Sequence, residues 1–229
     1  MRSAVVKTIT LESKIDGFEF TALHAPAQGS RKGGVVLLQE IFGLDRYMQA
    51  DVARWSKLGF EVLAPYLFDR AEPGFTADHD EDGVRAGRRY AEAVGLDNAT
   101  YDTESCVDWL TARGPAFVVG YCYGGSVAWL AACKIDTLAA ASCYYGGLIA
   151  KHANARLLCP VLVNYGADDA HIPAADAEAV KRAHPEIDVF RYAGAGHGFN
   201  NEGAPSYDAA AAELARKRTL ELFAANGAG

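Results

Sequence analysis

The stretch Ala116-Phe117-Val118-Val119-Gly120-Tyr121-Cys122-Tyr123-Gly124-Gly125-Ser126 decides the fold of this 229-residue chain. Its apolar first half predicts a buried strand and residues 126–132 predict a helix, so Cys122 occupies the turn between them. Glycines two positions before and after Cys122 remove the collisions that a sharp turn would otherwise cause. The pattern is typical of a nucleophile elbow in which sulfur replaces the usual serine oxygen.

A packing role is the alternative interpretation of Cys122, because free cysteine is among the most buried residue types. A core cysteine needs no glycine on either side, so the flanking Gly120 and Gly124 favour the elbow. The helix that follows would also direct its partly positive N-terminus at the sulfur and favour a thiolate. We therefore predict that Cys122 is a nucleophile.

Apolar runs of strand length alternate with segments of helical periodicity along the chain, which predicts an α/β fold with a mostly parallel sheet covered by helices on both faces. The first two strands are joined through Asp16-Gly17 and predict an antiparallel hairpin. No composition break divides the chain, so we expect one domain over residues 1–229. The predicted strands are 8–13, 18–24, 34–38, 60–64, 116–120, 139–144, 161–165 and 188–192, and the predicted helices are 47–58, 81–94, 103–113, 126–132, 174–183 and 205–225.

The composition excludes several classes of partner. A net charge of -7 argues against binding to nucleic acid or to an anionic membrane, since both need a clustered basic surface. Residues 1–13 lack the apolar core of a secretion signal, and the five cysteines form no CxxC pair, so we expect a cytoplasmic protein with reduced thiols. We further expect a monomer or weak homo-oligomer that acts on a small molecule.

Candidate partners of Cys122 follow later strands, as expected because sheets of this kind bind ligands outside the carboxyl ends of their strands. Asp168 and Asp169 come soon after the seventh predicted strand, and His197 lies in the Gly-rich loop after the eighth. Nucleophile, acid and histidine is the chain order of the α/β-hydrolase triad. We predict His197 as the base and Asp169 as the acid that orients it, with Asp168 capping the turn as the alternative role for an aspartate here.

Glu40 directly follows the predicted strand 34–38. α/β hydrolases place at this point the loop that donates the second oxyanion N–H, which predicts an oxyanion hole made by the backbone N–H groups of Ile41 and Tyr123. A carboxylate after a strand is usually solvated or caps a helix. If Glu40 instead shares a cleft with Cys122, it can accept a hydrogen bond from the thiol and compete with the histidine for its proton.

The remaining histidines show no HxH, HExxH or Cys/His spacing, so we expect no metal and no cofactor. His171 is a candidate helix-entry residue near the site. The others are predicted to be surface residues: His24, His79, His152 and His184.

Together these segments resemble the dienelactone hydrolase family, also called carboxymethylenebutenolidases, over essentially the whole chain. The resemblance implies an α/β-hydrolase fold and a Cys-Asp-His hydrolase that opens an enol-lactone ring through an acyl-cysteine intermediate at Cys122. It also implies that Glu40 gates the thiol, holding it neutral at rest and swinging away when substrate binds. The matching segments are 39–43, 65–67 with Arg70 and Pro73-Gly74, 120–125, Tyr144-Tyr145-Gly146, Asp169 four residues before Pro173, and 195–199.

The chain departs from the family at the substrate carboxylate. The resemblance assigns Arg70, Tyr145 and Asn201 to substrate binding, but Asn201 stands where the family has a second arginine, and a neutral amide cannot form a charged clamp. A helix bearing three arginines either compensates or forms a solvated basic face: Arg85, Arg88 and Arg89. The leading hypothesis is a hydrolase of a dienelactone or related small ester. The alternatives are a carboxylesterase or thioesterase of different range, or a non-catalytic thiol redox sensor.

Overall fold

The computed structural model describes residues 6–229; residues 1–5, part of the segment that lacks an apolar signal core, lie outside the described residues. Its centre is an eight-stranded sheet with the order β1-β2-β4-β3-β5-β6-β7-β8. β1 and β2 form the predicted antiparallel hairpin, β2 pairs antiparallel with β4, and the remaining pairs are parallel. The α/β prediction is confirmed. The strands are β1 Lys7–Glu12, β2 Glu19–Ala25, β3 Gly33–Leu38, β4 Phe60–Pro65, β5 Ala116–Tyr121, β6 Ala140–Tyr144, β7 Val161–Gly166 and β8 Asp188–Tyr192.

The helices cover both faces of this sheet: α1 Arg46–Lys57, α2 Glu81–Thr111, α3 Tyr123–Lys134, α4 Ala174–Ala183 and α5 Ala209–Ala225, with a 3-10 turn at Ile149–His152. The two helices predicted at 81–94 and 103–113 form the single element α2, which is kinked where Gly95 takes φ 73° and ψ 158°. The last helix begins at Ala209, four residues later than predicted, because the Asp208 side chain accepts a hydrogen bond from Ala211 N–H and caps it.

The central strands are continuous apolar runs because they are buried on both faces of the sheet. Every residue of β3, β4, β5, β6 and β7 is buried, since helices pack on both faces. On the face covered by α1 and α5, an aromatic cluster joins Trp55, Phe60, Phe117 and Phe223, with the last two rings stacked 4.3 Å apart. Removing one such ring from a core costs about 3–5 kcal/mol, so this cluster anchors α5 to the sheet.

The parallel arrangement brings the ends of β3, β5, β7 and β8 to one edge of the sheet. The loops after these strands carry the residues singled out in the sequence. Across residues 6–229, none of the helices has both the length and the apolar character required to cross a membrane.

Candidate active site

The turn after β5 is a strained elbow. Cys122 has φ 52° and ψ -111°, a conformation that L-residues rarely adopt. The glycines are required by close backbone approach: a Cβ at Gly120 would overlap the Gly124 carbonyl, and a Cβ at Gly124 would overlap the carbonyl of Leu38. The strain is held by the surrounding sheet, where the Cys122 N–H donates to the Tyr144 carbonyl at 3.0 Å. The sequence pattern therefore has a direct steric cause.

His197 lies between the thiol and a buried carboxylate. Its Nε2 is 3.2 Å from Cys122 Sγ, and its Nδ1 is 2.7 Å from Asp169 Oδ2. The other Asp169 oxygen accepts the His171 N–H at 2.8 Å, which fixes the carboxylate plane. Asp168 is exposed and takes part through its backbone, donating to the Ala195 carbonyl. The structure thus brings Asp169, rather than Asp168, to the imidazole.

The electrostatics of this group favour a protonated imidazole. Burial lowers the pKa of His197, but the hydrogen bonds and charges of Asp169 and Cys122 outweigh it and raise the pKa to about 10. For Asp169, burial raises the pKa, and the hydrogen bond and charge of His197 more than offset that effect, leaving the pKa lowered. The arrangement can therefore hold a proton on the histidine beside the sulfur.

The two residues predicted to supply the oxyanion N–H groups, Ile41 and Tyr123, line the same cavity as the thiol. Tyr123 is the first residue of α3, so its N–H has no acceptor in the helix. Ile41 lies in the loop after β3, and both residues line the cavity with Cys122. A hydrogen bond from Gly124 N–H to the Gln39 carbonyl, 3.0 Å long, ties this loop to the elbow. The two predicted oxyanion donors are thus held on connected segments.

Glu40 has a different partner from the one predicted. It is buried, and its Oε2 accepts a hydrogen bond from Asn201 Nδ2 at 2.8 Å. Within the described residues no hydrogen bond joins Glu40 to Cys122, whose sulfur instead contacts His197. Burial raises the pKa of the Glu40 carboxyl, and the Asn201 hydrogen bond opposes this only in part. The predicted contact between Glu40 and the resting thiol is therefore corrected.

Arg70 does not reach the cavity. Its guanidinium forms paired hydrogen bonds with Asp102 and Asp16 and lies 4.5 Å from the centre of the Phe18 ring. These contacts fasten the first hairpin to α2, and they leave no free donor edge for a substrate carboxylate. The substrate-binding role that the resemblance gave to Arg70 is corrected to a structural one.

Tyr145 also lies outside the cavity wall. It is fully buried, takes a positive φ of 38°, and packs its ring edgewise 5.2 Å from that of His197. Its ring packs against the imidazole and does not line the cavity, so the predicted substrate contact is corrected to a packing contact with His197.

The cavity beside Cys122 has a volume of about 480 Å³ and mostly apolar walls. Arg88 lines it, is exposed, and has no ion-pair or hydrogen-bond partner among residues 6–229. Of the neighbouring arginines, Arg85 pairs with Asp82 and Arg89 donates to Tyr90. Of these three arginines, Arg88 is the one that lines this cavity. Arg88 is therefore placed where it could compensate for the second arginine that Asn201 replaces.

Two histidines line the cavity although the sequence did not predict a place in the cavity wall for either of them. His79, predicted to be a surface residue, stacks on Phe42 with ring centres 3.8 Å apart and bonds Asp45 at 2.7 Å through Nε2. His171 lines the same cavity, with its ring 5.2 Å from that of His197. Neither position carries a local signal, because each reaches the cavity from a loop remote from the elbow. In the described part of the chain, no cluster of three or more His, Cys, Asp or Glu residues has the arrangement of a metal site.

This geometry agrees with comparisons to known proteins. The profile of the dienelactone hydrolase family matches residues 20–227. The chain belongs to the dienelactone hydrolase family. A carboxymethylenebutenolidase of Pseudomonas putida is 29% identical over 221 residues, covering 91% of this chain and 92% of that protein. Family membership assigns the chain to the hydrolases of ester and lactone bonds.

Solved structures show the same fold. The crystal structure of a "putative dienelactone hydrolase" from Klebsiella pneumoniae has a TM-score of 0.81 and 26% identity, covering 96% of this chain and 99% of that one. The esterase Pf2001 of Pyrococcus furiosus has a TM-score of 0.69 at 14% identity, covering 98% and 94%, and supports the fold alone. The α/β-hydrolase fold predicted for the chain is confirmed.

Proposed function

We propose that the chain hydrolyses a small carboxylic ester or lactone through a Cys122-His197-Asp169 triad and an acyl-cysteine intermediate. The observation that carries the proposal is the position of His197, within hydrogen-bond distance of both the thiol and the carboxylate. A histidine with its own carboxylate is needed for turnover, whereas a thiol sensor needs only a reactive sulfur. This contact therefore favours an enzyme over a non-catalytic sensor.

Before attack, the proton of Cys122 lies on His197 Nε2, and the raised pKa of the imidazole favours this thiolate–imidazolium pair. The thiolate attacks the ester carbonyl carbon, and the backbone N–H groups of Ile41 and Tyr123 stabilise the oxyanion that forms. When the tetrahedral intermediate collapses, the C–O bond to the leaving group breaks and the imidazolium returns its proton to the leaving oxygen. Asp169 holds the ring in orientation and stabilises its positive charge throughout.

Deacylation repeats these steps with water. His197 takes a proton from the water as the water oxygen attacks the acyl carbon, and the carbon–sulfur bond then breaks. The proton stays on His197, which restores the thiolate–imidazolium pair, and the released acid ionises in solution. One water is consumed in each cycle, and for a lactone the product is a single ring-opened chain.

The cavity supports a small substrate with one acidic end. Its walls are mainly apolar side chains such as Phe42, Val84 and Leu148, which suit a compact acyl group or lactone ring. Arg88 supplies the unpaired positive charge on the wall, and a guanidinium can bind a carboxylate through two donors. A carboxylate-bearing lactone such as a dienelactone fits both features.

The test compares turnover of a dienelactone, p-nitrophenyl acetate and an acyl thioester. We expect hydrolysis of the dienelactone and loss of about a thousandfold or more of kcat in Cys122→Ala and His197→Gln. Near wild-type turnover in either variant would exclude the triad. Activity confined to the thioester or the neutral ester would replace the lactone assignment with a thioesterase or carboxylesterase.

Arg88→Leu tests the acidic end of the substrate. We expect KM for the dienelactone to rise about tenfold or more, because the charged contact is lost, while KM for p-nitrophenyl acetate stays the same. Arg85→Leu is the matched control, since Arg85 lies on the same helix but pairs with Asp82 and does not line the cavity. Equal effects in the two variants would remove Arg88 from substrate binding.

A further inference from the structure

The Glu40 and Asn201 side chains form a buried hydrogen-bonded pair inside the catalytic cavity. They are 4% and 1% exposed, lie 161 positions apart in the chain, and both line the cavity with Cys122. Asn201 is itself fixed, because its Oδ1 accepts the Gly203 N–H at 2.9 Å and leaves its amide nitrogen directed at Glu40. The donor is therefore preorganised for the carboxyl group.

Besides Asn201, the surroundings of Glu40 include the weakly interacting hydroxyl of Tyr145. Burial raises the pKa of its carboxyl, and the nearby charged or titratable groups are His79, Asp45 and His197. The buried Tyr145 hydroxyl makes no close hydrogen bond but lies near Glu40, whose charge and hydrogen-bonding interaction add to burial in raising the Tyr145 pKa. A carboxyl released from Asn201 has two candidate donors, the Tyr145 hydroxyl and the Cys122 thiol, which lies in the cavity that Glu40 lines.

We propose that Asn201 is a positioning residue: its amide holds the Glu40 carboxyl away from Cys122, so that the resting enzyme presents a thiol already paired with His197. The resting contact of 3.2 Å between His197 Nε2 and the sulfur needs no rearrangement before attack. In this arrangement the substrate does not have to displace Glu40.

A consequence for substrate choice follows, and it rests on the proposed function. If no acidic group is needed to free the thiol, neutral esters with the same leaving group are acylated as fast as acidic ones. The acid group then acts through Arg88 on KM and leaves kcat unchanged. The substrate class thus includes small neutral esters as well as carboxylate-bearing ones.

The test measures the rate at which iodoacetamide alkylates Cys122, located by peptide mapping so that the other cysteines do not contribute. We expect Asn201→Ala to slow alkylation about tenfold or more, because the freed Glu40 carboxylate accepts the thiol hydrogen bond, and such charged hydrogen bonds are strong. The double variant Asn201→Ala with Glu40→Gln should recover most of the wild-type rate.

Asn200→Ala is the matched control. Asn200 is the adjacent buried amide in the same loop, but it donates to the Tyr47 hydroxyl and does not contact Glu40. Its variant loses a comparable hydrogen bond, and we expect wild-type alkylation. Should Asn201→Ala fail to fold, Asn201→Asp is the second variant, because it keeps the oxygen that accepts the Gly203 N–H. Combining Asn201→Asp with Glu40→Gln restores the hydrogen bond between the two positions, with position 40 now donating and position 201 accepting.

Unchanged alkylation in Asn201→Ala would overturn the proposal, as would a slow rate that Glu40→Gln does not restore. A kcat for acidic esters more than about tenfold above that for neutral esters of the same leaving group would overturn it too, since activation would then depend on the acid group. Alkylation needs no ester turnover, so failure of the proposed hydrolysis would leave this test intact and be separately visible.

Discussion

Asp51 and Glu40 are both buried carboxylates close to the elbow, but the protein surrounds them differently. Asp51, on α1, is completely buried and makes four hydrogen bonds or ion pairs, whereas the only one found for Glu40 among the described residues comes from Asn201. The partners of Asp51 are Arg54 at 3.0 Å, Trp55 at 3.1 Å, Tyr121 at 2.7 Å and Arg216 at 3.0 Å.

The difference separates a scaffold charge from a functional one. The four donors replace the water that Asp51 loses, and through Tyr121 and Arg216 they fasten β5 to α1 and α5 beneath Cys122. Glu40 has less compensation, chiefly the Asn201 hydrogen bond, and it lines the cavity beside Cys122. Poorly compensated titratable groups concentrate at functional sites because their reactivity is retained there.

The largest expected effect comes from breaking the compensated charge. Asp51→Ala leaves the Arg216 guanidinium without its buried partner, so we expect the free energy of unfolding to fall by about 3–5 kcal/mol in urea titrations. Glu202→Ala is the control, since it removes a half-exposed partner of Arg54 and should cost less than about 1 kcal/mol. Similar losses in the two variants would show that Asp51 is not the anchor.

A second prediction concerns His197, which lies in the cavity that Glu40 lines. Its pKa is raised from 6.5 to about 10 in the folded state, so its contribution to stability is complete below about pH 6.5 and is lost as the pH rises through about 10. Between pH 7 and 10 the wild type should lose about 3–4 kcal/mol more of its unfolding free energy than His197→Gln. Parallel curves for wild type and His197→Gln would contradict the assignment.

Tyr121→Phe tests one donor of the Asp51 network. It removes the 2.7 Å hydrogen bond to the carboxylate but keeps the ring, so we expect unfolding free energy to fall by about 1.5 kcal/mol, less than for Asp51→Ala. The exposed Tyr207→Phe should have no measurable effect. A loss as large as that of Asp51→Ala would mean that Tyr121, rather than the ion pairs, dominates the network.

The fold and the elbow could be predicted because their signals are local. Buried strands appear as apolar runs, and the glycines around Cys122 follow from backbone contacts within a few residues and with β3. The chain order of Cys122, Asp169 and His197 also predicted that they lie close together. The parallel strands that precede these residues all end at one edge of the sheet.

The partners of the polar side chains could not be predicted in the same way. Arg70 binds Asp102, which lies 32 positions away, and Glu40 binds Asn201 at 161 positions. Such contacts depend on how distant segments dock. Similarly, the periodicity of α2 indicates a helix but does not reveal that Arg88, rather than Arg85, faces the cavity.

The smallest expected effect is on the free energy of unfolding at pH 7, which should rise in Glu40→Gln and fall in Glu61→Gln. Burial raises the pKa of the Glu40 carboxyl above the ordinary value of 4.5 for a glutamate. Ionisation of Glu40 therefore destabilises the folded state once the pH exceeds about 4.5. Glu40→Gln should raise the free energy of unfolding at pH 7 by about 1 kcal/mol, with no gain at pH 4.

Glu61 is the matched case. Burial also raises its pKa, but hydrogen bonds from His24 and Arg31 and the charge of Arg113 leave the pKa lowered, so its stabilisation is present above about pH 4.5 and lost in acid. Glu61→Gln should therefore destabilise the protein at pH 7, again by about 1 kcal/mol, in the same urea titrations. If both glutamine variants lost stability at pH 7, Glu40 would be as well compensated as Glu61, and the contrast between scaffold and functional carboxylates would fail.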